Sequence, residues 1–307
     1  MKLGLVGCGY FGKIHAKCIN ELKNVDFEGI YDTSLGVATE IAEQFSTTAY
    51  AEIDKLIENC DVVDIVASTS AHFELAQKAI TAGKHCFIEK PLTTNVAEAE
   101  KLIELAKKHN VIVQVGHVER YNPAFQAALP HFTNPFLIKS NRLCRFHVRG
   151  TDVSVVHDLM IHDIDLVLSI VKSEVIDIQA TGCKYVTDLL DVAHAKLLFE
   201  NGSVAHFTAS RVSDHPVRKM RIFQPENYMT INFQDKKVEK FEFINQQTII
   251  NELPIFEHNS IIKELSDLIH SIKQNQPPKV AMEDGLNALR IVDKVVAIIH
   301  QQKCTLK

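Results

Sequence analysis

The sequence predicts two domains of different class: an α/β unit, then an α+β unit built on an open, mostly antiparallel β-sheet. Three observations point there. The first 117 residues alternate short β-branched runs with longer helical patterns, the rhythm of a parallel sheet covered on both faces. A glycine-rich turn follows the first of those runs. From about residue 174 to 249 the chain is instead strand-rich and broken by turn signals such as Glu200-Asn201-Gly202 and Gln224-Pro225-Glu226-Asn227, which reads as a meander. With 307 residues, 46% of them hydrophobic, the chain is long for one core.

The largely apolar runs 3–6, 27–31, 62–67, 86–88 and 111–115 read as buried parallel strands, because a strand covered on both faces needs no polar alternation. Segments 12–23, 34–45, 71–81 and 94–108 carry helical periodicity and supply the cover. Beyond Gly116, helices over about 122–130 and 152–171 bracket one long strand, 136–149. Helices over 258–273 and 284–302 close the chain, separated by Gln276-Pro277-Pro278, with Asp284 as the N-cap of the last. The expected domains are therefore 1–117 for dinucleotide binding and 118–307 for substrate binding and oligomerisation.

Lys+Arg 33 against Asp+Glu 38 gives a net charge of -5, which argues against a nucleic-acid partner. The expectation is a soluble chain without leader or membrane contact, since no apolar run reaches the length that spans a bilayer. Seven scattered cysteines (Cys8, Cys18, Cys60, Cys86, Cys144, Cys183 and Cys304) with no C-x-x-C pair fit reduced thiols in a cytoplasm.

Gly7-Cys8-Gly9-Tyr10-Phe11-Gly12 fits G-x-G-x-x-G in the setting that pattern requires, after a strand and opening a helix. Gly7 permits the tight turn, Gly9 lets backbone approach a pyrophosphate, and Gly12 lets helix and strand pack closely. The N–H groups of the helix terminus then face the anion without a basic side chain. Asp32, at the end of the second strand, is placed to accept hydrogen bonds from ribose hydroxyls, which favours NAD over NADP. No arginine occurs before Arg120, and Thr33-Ser34-Leu35-Gly36 offers no cation to a 2′-phosphate. A bare sharp turn with Asp32 as a helix cap is the plain alternative. Cys8 reads as a small filler.

Glu89-Lys90-Pro91 ends a buried strand where open parallel sheets bind ligands. Taken alone, such a pair is equally a solvated strand end. The run His157-Asp158-Leu159-Met160-Ile161-His162-Asp163-Ile164-Asp165-Leu166 puts Asp158, His162 and Asp165 on one helical face, with Met160, Ile164, Val167 and Leu168 opposite. An imidazole one turn from a carboxylate suits acid/base work on an alcohol. A metal site completed by His117, His147 or His157, and a solvated helix face, are the competing readings. Six of the eight arginines (Arg142, Arg145, Arg149, Arg211, Arg218 and Arg221) lie between residues 142 and 221, and clustered guanidinium groups suit phosphate or carboxylate recognition. Arg211 is the leading candidate among them. A solvent-facing or subunit-facing sheet is the equal alternative.

On Gly7, Gly9, Gly12 and His15, on Ala67-Ser68-Thr69 with His72, on Gly83-Lys84-His85 leading to Glu89-Lys90-Pro91, and on Asp158, His162 and Asp165, the chain resembles the Gfo/Idh/MocA family of nicotinamide-dependent oxidoreductases along nearly its whole length. It departs from the family at Ser68-Thr69, where Ala-Thr-Pro is usual, and at Met160, where glycine is common. The resemblance implies that Lys90 contacts the reacting hydroxyl and that backbone at Pro91 lies against the nicotinamide; the acid/base reading of the helical face adds Asp158 and His162 to the catalytic set. The resemblance implies further cofactor contacts from Tyr10, Phe11, Asp32, Ala67, Ser68, Thr69, His72 and Glu89. Gly116-His117-Val118-Glu119-Arg120-Tyr121-Asn122-Pro123 and the run from His157 to Leu166 are similar to the branch that oxidises UDP-N-acetylglucosamine at its 3-hydroxyl, which adds His117, Arg120, Tyr121 and Asn122 as substrate contacts, beside Arg145 and Arg211 from the arginine cluster, which suits the pyrophosphate of a nucleotide-sugar. Homodimers or homotetramers built by packing the open sheets are implied as well. The expected function is hydride transfer between a sugar or nucleotide-sugar hydroxyl and NAD(P). The alternatives are a dinucleotide- and sugar-binding regulator without turnover, against which Lys90, Asp158 and His162 together argue, and a metal-dependent hydrolase.

Overall fold

The computed structural model describes residues 1–147, 150–151 and 153–302. Arg149 and Cys304 lie outside the described residues. Two compact units are present, one formed by Met1–Val118 with Asn259–Leu286 and the other by Glu119–His258 with the chain from Asn287 onward.

In the first unit the chain runs β1 (Lys2–Val6), α1 (Tyr10–Glu21), β2 (Asp26–Tyr31), α2 (Leu35–Gln44), β3 (Thr48–Tyr50), α3 (Ile53–Asn59), β4 (Val62–Ile65), α4 (Thr69–Thr81), β5 (His85–Glu89), α5 (Val96–His109) and β6 (Val113–Gly116). The six strands form one sheet in the order β3-β2-β1-β4-β5-β6, every pair parallel. This is the doubly wound dinucleotide-binding topology, the Rossmann fold that the glycine turn predicted. Its order reverses between β1 and β4, so the crevice beyond their carboxyl ends is the natural ligand position. Strand β3 and helix α3 are additions to the expected elements. A three-residue edge strand with an exposed first residue carries too little hydrophobic pattern to register.

The second unit runs α6 (Pro123–Ala128), β7 (Leu137–Leu143), a π turn (Val156–Met160) leading into α7 (Ile161–Val171), and strands β8 (Val175–Cys183), β9 (Val192–Phe199), β10 (Val204–Ser210), β11 (Val217–Phe223), β12 (Asn227–Asn232), β13 (Lys237–Ile244) and β14 (Gln247–Glu252). They form an eight-stranded sheet in the order β14-β13-β12-β11-β7-β10-β9-β8, antiparallel except for the β7–β10 pair. The open, mostly antiparallel sheet is thus as expected. Strand β7 stops at Leu143, short of the strand predicted over 136–149. One face of this sheet packs with α7 around Ile138, Ile164, Val167, Leu197, Phe199, Phe207 and Ile222.

The closing helices are α8 (Ser260–Gln274) and α9 (Met282–Gln301). The expected assignment of everything from 118 to 307 to one domain needs correction here, because 259–286 belongs to the first unit. The reason is apolar cover: Leu265, Leu268 and Ile269 of α8 join Leu3, Ala16, Ile19 and Phe87 in a single core. Edge strand β6 is also closed by that segment, through a hydrogen bond from Val115 N–H to the Val280 carbonyl and a bridge between Gln114 and Ala281. Asp284 is not the N-cap of α9. It lies inside the first turn, and its carboxylate reaches back to the Ala281 N–H at 2.9 Å. The six described cysteines are free thiols. Among the described residues no helix is long and apolar enough to cross a membrane.

Candidate active site

The glycine turn joins β1 to α1, and each glycine is required for a different reason. Gly7 has φ +99, and a Cβ there would fall 2.6 Å from the Ala67 nitrogen. On Gly12 a Cβ would fall 2.0 Å from the Gly7 carbonyl oxygen, so helix and turn touch through backbone alone. Gly9 is the opposite case, with no atom within 4 Å of a Cβ built on it. It is the N-cap of α1, no side chain caps that terminus, and no acidic residue stands in the first turn. An uncapped twelve-residue helix with open space over its N-cap fits a dinucleotide pyrophosphate. Tyr10 and Phe11, 59% and 47% exposed, flank the same terminus with their rings edge to face.

Asp32 accepts a hydrogen bond from the Cys8 N–H at 2.8 Å and another from the Ser34 N–H at 2.9 Å. The carboxylate thereby ties the glycine turn to the end of β2, where a ribose would lie. Burial, reinforced by the Asp32 charge, pushes the Cys8 thiol up to about 12, so it stays protonated, as suits a filler.

Two further loops meet the carboxyl edge of this sheet. Ala67 and Ser68 lead from β4 into α4, and Lys90-Pro91, joined by a cis peptide, leaves β5. His72 connects them, its Nδ1 lying 2.9 Å from the Pro91 carbonyl and its Nε2 3.0 Å from that of Ala67. Burial lowers the His72 pKa, so the ring is neutral and donates through one of the two nitrogens. Its expected role as a direct cofactor contact is therefore corrected: the side chain is 1% exposed and joins the two loops from beneath. Glu89 is likewise turned inward, onto the Lys90 N–H and onto His15, rather than outward to a ligand.

In the second unit, the segment predicted as one regular helix begins at Val155 and opens into the π turn Val156–Met160 before α7. The Ile161 N–H bonds to the Val156 carbonyl, five residues back. Such wide turns favour functional positions, because the extra residue re-aims side chains. The expected Asp158/His162/Asp165 face divides accordingly. Asp158 and His162 are partly exposed, whereas Asp165 is 1% exposed and held bidentately by Arg120, at 2.8 Å from Nε and 2.6 Å from Nη2. Neighbouring Asp163 receives Arg142 Nε and Nη2 at 3.0 and 2.8 Å, while Arg142 Nη1 reaches Glu119 at 2.9 Å. Burial works against the Arg142 charge, but Asp163 and Glu119 outweigh it and raise its pKa. These pairs fix α7 from below. Glu119 and Asp163 were missed in the sequence, because each stands beside polar candidates, Arg120 for one and His162 for the other, and nothing local marks it as an arginine's buried partner.

Several expected substrate contacts take other positions. Arg211 is buried, with Nη1 and Nη2 donating to the carbonyls of Gly150 and Val153 at 3.0 and 2.7 Å and Nε 3.8 Å from Asp191. It is a clamp on the segment before the π turn, not an open anion site. Gly150, at φ +79, lies so close to Asp158 that a Cβ would come within 2.9 Å of its Oδ2. Arg120 is committed to Asp165, Tyr121 is 1% exposed, and Asn122 caps α6 through the Ala124 N–H at 3.0 Å. His117 is also buried. Arg145 is exposed and donates to the Asp214 carbonyl at 2.9 Å. His157, a candidate ligand in the metal reading, lies 2.8 Å from Ser154 and 3.1 Å from Asp293.

Comparison with known proteins matches both units. Residues 1–117 fit the model of the oxidoreductase family with an NAD-binding Rossmann fold, and residues 131–227 fit that of the GFO/IDH/MocA C-terminal domain. The UDP-N-acetylglucosamine 3-dehydrogenase of Acidithiobacillus ferrooxidans is 38% identical over 234 residues, 76% of this chain and 74% of that one. The myo-inositol 2-dehydrogenase of Thermotoga maritima is 27% identical over 324 residues, 94% of this chain and 93% of its own. A solved structure of the Acidithiobacillus enzyme superposes with a TM-score of 0.93 at 31% identity, covering 98% of each chain. The glycine turn and Lys90 on one unit, with Asp158 and His162 on the other, thus belong to a member of the Gfo/Idh/MocA family of NAD-binding oxidoreductases.

Proposed function

We propose that this chain is an NAD-dependent dehydrogenase that oxidises a ring hydroxyl of a nucleotide-sugar, the 3-hydroxyl of UDP-N-acetylglucosamine. What carries the substrate is the 38% identity with an enzyme of that name over three quarters of both chains. The chemistry rests on the side chains. Bound at the α1 terminus, NAD supplies the hydride acceptor. Lys90 donates a hydrogen bond to the reacting oxygen and stabilises negative charge developing there. His162 accepts the hydroxyl proton, and Asp158, in the π turn that leads into α7, orients His162 or holds a neighbouring hydroxyl. Oligomers formed through the open sheet belong to the same reading.

The test is absorbance at the nicotinamide band with NAD and UDP-N-acetylglucosamine, run on wild type, Lys90→Ala and His162→Ala. Reduction by wild type, with kcat lowered at least about 100-fold in each variant, supports the reading, since general acid–base catalysis contributes roughly that much or more. Near-normal turnover in both variants would overturn the residue assignment. NADH binding without reduction by this sugar would remove the substrate.

A further inference from the structure

His15 is fully buried on α1, and both of its ring nitrogens face carboxylates. Nδ1 lies 2.8 Å from Asp64 on β4, and Nε2 lies 3.3 Å from Glu89 at the end of β5. The other Glu89 oxygen accepts the Lys90 N–H at 3.0 Å. A neutral imidazole has one N–H and would set a lone pair against one of these carboxylates, so the arrangement suits imidazolium, with the His15 charge working against the burial that raises the pKa of Asp64. Burial opposes that charge, but Asp64 and then Glu89 outweigh it and hold the His15 pKa well above its ordinary value. Glu89, although desolvated, is held below the usual carboxylate range by His15 and Lys90. The space is made for it: a Cβ on Gly116 would fall 2.9 Å from both Cδ and Oε1 of Glu89.

Three elements therefore converge on one buried charge set: the helix that opens at the dinucleotide turn, the strand leading to Ala67, and the strand that ends in Lys90. A buried ion set of this kind is weak evidence for stability, because apolar packing of the same volume serves as well or better. Its strength is geometric specificity. We propose that His15 and Glu89 are positioning residues, which set the Lys90 backbone relative to the dinucleotide turn so that the lysine ammonium is presented to the substrate hydroxyl. His15 acts through Glu89, and Glu89 acts through the Lys90 N–H. Neither touches substrate.

This inference rests on the reading of Lys90 as the residue that contacts the hydroxyl, and a double-mutant cycle separates the two. The variants are Glu89→Gln, which keeps the shape and an acceptor but loses the charge, Lys90→Ala, and the two combined. NADH dissociation constants and kcat with UDP-N-acetylglucosamine are measured for each. The expected result is a kcat for Glu89→Gln lowered about 10- to 100-fold with NADH affinity within about threefold of wild type, and a double variant no slower than Lys90→Ala alone. His15→Gln paired with Asp64→Asn, which removes cation and anion together, is expected to reproduce the kcat loss without losing NADH. Equal losses of NADH affinity and kcat would make the set merely structural. If Glu89→Gln slows Lys90→Ala by the same factor as wild type, Glu89 does not act through Lys90 and the inference fails while the reading of Lys90 stands. If Lys90→Ala alone turns over normally, that reading fails and the inference falls with it.

Discussion

Gly9 and Gly12 stand three residues apart in one turn, and alanine at each is expected to fail for opposite reasons. Gly9 has φ -66 and ψ -166, ordinary for any residue, and a Cβ there meets no protein atom within 4 Å. Gly9→Ala therefore costs only the weaker N-cap, about 0.5–1 kcal/mol, a fall in Tm of about 1–4 °C. Its methyl group, however, stands in the open space over the α1 N-terminus. Displacing an anion enough to lose one charge-assisted hydrogen bond costs about 1.5–3 kcal/mol, so the NADH dissociation constant should rise about 10- to 100-fold. Gly12→Ala gains about 1 kcal/mol of helix propensity. Against that, its Cβ falls 2.0 Å from the Gly7 carbonyl oxygen, a backbone atom that cannot rotate away. Overpacking typically costs about 1–3 kcal/mol, and a backbone contact this close belongs at or beyond the upper end. The expected net loss is about 2 kcal/mol or more, a Tm lowered by about 4–8 °C, with NADH binding lost as the turn distorts. Thermal melts without ligand and fluorescence titration with NADH measure both quantities. Gly9→Ala binding NADH as tightly as wild type would refute the placement of the pyrophosphate, and an unchanged Tm for Gly12→Ala would refute the packing argument.

Arg211→Met leaves the Gly150 and Val153 carbonyls without their donors and Asp191 without its neighbouring cation. The expected outcome is a stability loss of about 3 kcal/mol in denaturant unfolding and a lower kcat, with KM for the nucleotide-sugar within about threefold of wild type; a tenfold rise in KM with kcat intact would instead make Arg211 a substrate contact. Asp191 is desolvated, yet N–H donors from Thr187, Tyr185 and Val186 outweigh that and bring its pKa to about 2. Its folded value lies below the unfolded value of about 3.9, so its contribution is present above that pH and is lost as pH falls through the folded value. Asp191→Asn should accordingly be less stable by about 1–2 kcal/mol at pH 7, with the gap closing between about pH 4 and pH 2; a gap independent of pH would show that the carboxylate charge is not what holds the turn.

What was legible in the residue order was local: the G-x-G-x-x-G turn between a strand and a helix, the apolar runs of a parallel sheet, Asp32 at the end of the second strand, and a β-rich second half. Each of these is set by nearest neighbours and by a period of two or 3.6 residues, so composition and spacing suffice. Long-range pairing was not legible. Arg142 and Arg211 look alike in the sequence as possible anion ligands, and only the fold shows that their donors meet Asp163 and Glu119 in one case and the Gly150 and Val153 carbonyls in the other. The same holds for His15, whose partners Asp64 and Glu89 are 49 and 74 positions away in sequence. It holds also for α8, whose apolar stripe says that it is covered but not which unit covers it. A buried ion must be paired wherever it lies, whereas the identity of the partner depends on which strands become adjacent, and that is a property of the assembled sheet.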